Sequence, residues 1–155
     1  MRRGVRRLLA VVAAAAVAAG CAEEVLQIVA DDPYEPNDTI AEARDNPDAL
    51  LAESYTISDG VVTSGDRHDF FRIEVPAGAA SLTVVCAFAN ALGNIDLFLW
   101  RDGDASPLYY STGTGDGETL SGVVVSPGTY YIEVRLVPVT GLEVTTYGLS
   151  WVSGP

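Results

Sequence analysis

Two groups of oxygen-bearing side chains could do chemistry together in this chain. Glu35, Asn37 and Asp38 lie within one short stretch, and Asp66 and Asp69 form an Asp-x-x-Asp pair further on. Carboxylates and amides are hard ligands, and a hard cation such as Ca²⁺ takes about six to eight of them. Two irregular segments can wrap such an ion without breaking sheet hydrogen bonds. The spacing is not that of an EF-hand loop, so a site here is of another kind. Asp, Asn and Pro also build turns, and solvated turns are the alternative reading of the same residues.

The one histidine, His68, stands between Arg67 and Asp69. A nucleophilic triad or a zinc site would have to use it. No nucleophile neighbours it in sequence, so it reads as a solvated loop histidine. Any of the many acids could form a glycosidase pair, but nothing marks a particular pair. A hydrolase is therefore a remote alternative. Gly113-Thr114-Gly115-Asp116-Gly117 lies between strand-like runs and reads as a hairpin loop, not a phosphate cradle.

Cys21 carries a different chemistry. Arg2, Arg3, Arg6 and Arg7 form a cationic head, Leu8 to Ala19 is an uninterrupted apolar run, and small residues lead into the cysteine. That order is the order of a secretory signal. The run is shorter than the roughly 20 residues a membrane span needs. A cysteine at the cleavage point resembles the bacterial lipobox, whose thiol receives a diacylglycerol. Residues 1–20 are thus expected to be a lipoprotein signal peptide, and residues 21–30 a lipidated tether. The expected location is outside the cytoplasm, held to the cell envelope by lipid. Ala22 does not look like an inner-membrane retention signal, which favours the outer membrane.

Composition narrows the partners. The chain has 21 acids against nine bases, a net charge of −12, and no lysine. Four of the nine bases lie in the signal. Such a surface repels nucleic acid and anionic membrane, and suits cations. With Cys21 lipidated, Cys86 has no partner for a disulfide. It lies on the apolar face of Leu82, Val84, Cys86 and Phe88 and reads as a buried core thiol.

The elements that must position these groups are mostly strands. Thr39 or Asp38 can cap a short helical turn through Ile40 to Arg44, which Pro47 ends. From about residue 53 the period is two. Phe71, Ile73 and Val75 alternate with polar residues, as do Tyr130, Ile132, Val134 and Leu136. Ile95, Leu97 and Leu99 alternate with Asp96, Phe98 and Trp100, and Tyr147, Leu149 and Trp151 continue the pattern near the end. Turn residues separate the runs. Such a pattern predicts an all-β antiparallel sandwich of about eight strands over residues 31–155. On this reading Phe98 and Trp100 face away from the core, and Tyr131 joins them from another strand. An outward aromatic face favours recognition of an extracellular protein or glycan; packing beneath the N-terminal segment is the alternative.

One ordered set of residues carries a family likeness. It runs from Asp32-Pro33-Tyr34-Glu35-Pro36-Asn37-Asp38-Thr39 through Gly65-Asp66 to Asp69-Phe70-Phe71-Arg72-Ile73-Glu74-Val75-Pro76-Ala77-Gly78. Asp96-Leu97-Phe98-Leu99-Trp100, Pro127-Gly128-Thr129-Tyr130-Tyr131-Ile132-Glu133-Val134 and Tyr147-Gly148-Leu149 complete it. In this order it resembles the bacterial pre-peptidase C-terminal domain, over about residues 31–153. The resemblance implies a jelly-roll-like sandwich that is not itself catalytic and is usually appended to secreted peptidases. No peptidase domain accompanies the module here, so a protease-linked role is not expected. The collagen-binding domains of clostridial collagenases are similar to that family and bind calcium. Their ligand positions fall by order on Glu35, Asn37, Asp38, Asp66 and Asp69, while a further upstream Glu falls on Pro33. The expected function is a non-catalytic, lipid-anchored binding or adhesion module, stabilised by calcium. A structural accessory or folding-assistant subunit of an envelope or secreted protein is the alternative.

Overall fold

The computed structural model describes residues 9–18, 21–30, 32–137 and 144–155. Its two units are residues 1–33 and 34–155. In the first, β1 (Leu9–Ala18) pairs antiparallel with β2 (Cys21–Ala30). Val25, Ile28 and Val29 favour extended backbone, and the stretch expected as a lipidated tether is a strand. The arginines of the expected signal, Ala19, Gly20 and the Cys21 side chain lie outside the described residues, and the lipid-anchor reading rests on sequence.

The second unit is the expected sandwich. One sheet has the order β3-β10-β5-β8 and the other β4-β9-β6-β7, all antiparallel. The strands are β3 (Thr56–Thr63), β4 (His68–Val75), β5 (Ser81–Phe88), β6 (Ile95–Arg101), β7 (Tyr109–Ser111), β8 (Glu118–Val124), β9 (Gly128–Leu136) and β10 (Val144–Gly154). Except for β6 to β7, each successive strand crosses to the other sheet. The inward residues of both sheets make one core. Ile73, Leu97, Leu99, Ile132, Val134 and Leu149 are fully buried in it, and Cys86 is a buried free thiol. The alternation read from the sequence holds on β4, β5, β6, β9 and β10.

A short cover lies over the outward side of β4 and β9. Thr39 caps α1 (Ile40–Asp45), its Oγ1 accepting from the Glu42 N–H at 3.2 Å and donating to the Glu42 carboxylate at 2.9 Å. The Glu42 side chain thus returns to the Thr39 hydroxyl, where a full capping box would take it to the Thr39 backbone N–H. Asn46 ends the helix and caps a 3₁₀ turn, Pro47–Ala49. Pro47 therefore opens a second turn as well as closing the first. Ala43 and Ala49 pack on Phe70 and Tyr131 beneath them.

Candidate functional site

The segment before α1 is tied down at three points, two on the sandwich and one on the cover. The Tyr34 ring meets Phe71 edge-on at 5.4 Å. The Asn46 amide donates to the carbonyls of Tyr34 at 2.6 Å and Pro36 at 3.2 Å. The Asn37 carbonyl accepts from the Phe70 N–H at 2.7 Å. These ties place Glu35 and Asp38 against the β3–β4 loop, which carries Asp66. One carboxylate oxygen from each of Glu35, Asp38 and Asp66 lies within 4.8 Å of the others.

The other two expected ligands sit beside this trio. Asn37 is fully buried, and its backbone N–H donates to Glu35 at 2.9 Å. Turned with its nitrogen toward Glu35, the Asn37 amide donates to the two carboxylate oxygens at 2.8 and 3.1 Å; turned over, its oxygen faces those acceptors with no proton between them. Asp69, at the start of β4, is also fully buried, and the Tyr147 hydroxyl donates to it. Gly60 on β3 is what lets the Tyr147 ring lie there, because a Cβ at that position would enter the ring. Tyr147 is a site residue that sequence reasoning treated only as core.

The charges crowd one another. Asp66 is pushed up to about 10. Burial is the largest cause, followed by its hydrogen bond with Asp38 and the charges of Asp69, Glu35 and Asp38. Asp66 Oδ1 is buried with no hydrogen-bond partner among the described residues. A buried acceptor without a donor is costly, and a divalent cation would satisfy it. The residues present fit such an ion.

Beside this cluster, a groove of about 530 Å³ runs between α1 and the outward side of β4, β9 and β6. Its organising residue is Glu133, which is buried and was not singled out in the sequence. Glu133 accepts from His68 Nδ1 at 2.8 Å, Trp100 Nε1 at 2.8 Å, and Arg135 Nε and Nη2 at 2.8 and 2.9 Å. His68 is therefore not a solvated loop residue. It opens β4, half-exposed, with one ring nitrogen committed to Glu133. Thr39, Ile40 and Ala41 of the cover line the opposite wall.

The expected aromatic face is reshaped by the same cover. Tyr131 is buried under Ala43 and Ala49, and Arg44 Nε donates to its hydroxyl at 3.3 Å. It is not an exposed recognition residue. Phe98 is roofed by the Arg135 guanidinium, 4.0 Å above its ring. Trp100 alone of the three keeps a half-exposed side chain on the groove. Strand parity put these side chains on the outward face correctly, but it carries no information about what lies over them.

Comparison with known proteins agrees with the fold. Residues 67–136 match the profile of the family described as bacterial pre-peptidase C-terminal domain. The pre-peptidase C-terminal domain of a collagenase from Bacillus anthracis superposes with a TM-score of 0.54 at 22% identity, covering 66% of this chain and 91% of that one. A periplasmic inhibitor of g-type lysozyme from Aeromonas hydrophila has a TM-score of 0.45 at 16% identity, covering 66% of this chain and 88% of that one. A search of curated proteins finds no match.

Proposed function

We propose, from a β-sandwich that resembles the bacterial pre-peptidase C-terminal domain over residues 67–136, that this chain is a non-catalytic, extracytoplasmic binding module clamped by a calcium ion. The observation that carries the reading is the meeting of Glu35, Asp38 and Asp66 around a buried, unpartnered Asp66 oxygen. These three would hold the ion, with Asn37 and Asp69 behind them. The ion would supply positive charge where the carboxylates repel one another. It would also fasten residues 35–38 to the β3–β4 loop.

The side chains best suited to covalent catalysis are committed elsewhere. His68 is bonded to Glu133. Cys86 is buried, and burial pushes its thiol far above the thiolate range, with Glu118 and Asp69 adding to the effect. The recognition surface in this reading is the groove of His68, Trp100 and Arg135. It offers an aromatic side chain and fixed polar groups to an extracellular protein or glycan. Anchoring through Cys21 would hold the module at the envelope, with the outer membrane as its expected site.

Calcium decides the reading. At a free ion concentration about 100 times Kd, binding adds about 2.7 kcal/mol. The full chain should therefore melt higher in millimolar Ca²⁺ than in chelator, and Asp66→Asn with Asp69→Asn should abolish the difference. Identical melting in both conditions, with no calcium heat by calorimetry, would leave solvated turns as the correct account.

A further inference from the structure

The two outward faces of the sandwich differ in charge. β4, β6 and β9 carry His68, Arg72, Glu74, Asp96 and Arg135 on partly or fully exposed positions. β5 and β10 contain no acid and no base, while β3 and β8 contain one acid each. Glu118 of β8 is buried, accepting from Ser111 and from the Gly113 N–H at 2.6 Å. Asp59 lies in the irregular part of edge strand β3 and accepts from the Tyr34 hydroxyl at 3.1 Å. The rest of that outward face is Ser, Thr, Val, Ala and Gly. Thr83 pairs across with Val152, and Val85 with Ser150 and Thr119. Val85, Val152 and Val124 are 41%, 44% and 73% exposed. Among the described residues, a chain with 21 acids thus keeps charge off the outward side of the two central strands, β5 and β10, with Asp59 at the β3 edge.

We propose that this neutral face packs on the same face of a second copy, forming a two-fold dimer. Equally acidic copies repel wherever charged surfaces meet, so an uncharged face is where they approach at least cost. A two-fold contact brings each side chain near its own counterpart. Small neutral residues tolerate that meeting, and carboxylates do not. Flat faces of such residues stack sheet on sheet, about 10 Å apart. Four strands about 4.8 Å apart, with eight paired positions between β5 and β10, present a face of about 500 Å², or about 1,000 Å² for a pair. That lies at the low end for specific interfaces, so the dimer is weak and reversible. This inference goes beyond the calcium and groove reading and uses none of its residues.

Sedimentation velocity on the full chain tests it. The sedimentation coefficient should rise with protein concentration across about the micromolar to millimolar range. The dimer should be favoured by about 0.5 M salt over about 0.05 M, because screening removes the repulsion between copies and leaves a neutral contact intact. Val85→Glu should weaken association at least about tenfold by placing like charges together, as should Ser150→Glu. Ala77→Glu, in an exposed turn, adds the same charge elsewhere and should leave association unchanged. Circular dichroism melts identify any variant that fails to fold. Sedimentation independent of concentration at both salts would overturn the proposal, as it would if a flat polysaccharide were the occupant. Folded Val85→Glu and Ser150→Glu proteins that dimerise as tightly as the parent would also overturn it.

Discussion

Glu133 holds three different side chains while shut off from water. Glu133→Gln keeps the shape but removes the charge and leaves one Arg135 donor facing an amide N–H. The expected loss is about 1.5–3 kcal/mol, read by denaturant titration, together with a change in Trp100 fluorescence. Asp66 makes an equally specific prediction about pH. Its ordinary value is 3.8, and in the folded chain it is pushed up to about 10. The folded state therefore holds the proton more tightly, and rising pH between these values removes stability. The contribution is whole below the lower value and lost on passing through the upper one. Without added cation, the melting temperature should fall from about pH 5 to about pH 8, and Asp66→Asn should flatten that slope. A slope unchanged in Asp66→Asn would mean another group controls it. The acids were legible in the sequence because hard ligands are few in type and were clustered. Glu133 was not, since only the folded register of β9 and β6 brings His68, Trp100 and Arg135 to one carboxylate.

Among the elements, the cover of α1 and the 3₁₀ turn does more than its length suggests. Asn46 caps the turn, accepting from the Asp48 N–H at 3.0 Å, and also ties down the Tyr34 and Pro36 carbonyls. Asn46→Ala should cost about 1–2 kcal/mol and weaken calcium binding with it, measured by melting and calorimetry on the same protein. The cap was readable to within one residue, because Asp38 and Thr39 are both good N-cap types and the choice between them fell to Thr39 only in the fold. The burial of Tyr131 was not, because it depends on where the cover lies and not on the period of β9. Long strands with clean alternation were equally plain. β7 is too short to show a period, and the Ser58-Asp59-Gly60 irregularity interrupts the one in β3.

At the scale of the molecule, one core joins both sheets, and its loss is global. Ile132→Ala and Leu97→Ala should each cost about 2–5 kcal/mol, a large part of the about 5–15 kcal/mol a domain holds. Both residues are fully buried on neighbouring strands β9 and β6, so the double mutant should depart from additivity. Unchanged melting in both single mutants would contradict the face assignment. For anchoring, Cys21→Ser should move the chain from the detergent phase to the aqueous phase without altering its melting. The path of the chain from that cysteine has a mechanical side. A pull applied along the chain reaches the second unit at Tyr34 to Asn37, which is held by the Tyr34–Phe71 ring contact, the Asn46 amide and the backbone bond from Phe70 to Asn37. Under tension this clasp is loaded before any sheet is sheared, so the force at which the module first yields would be set by its N-terminal fastening and not by its core.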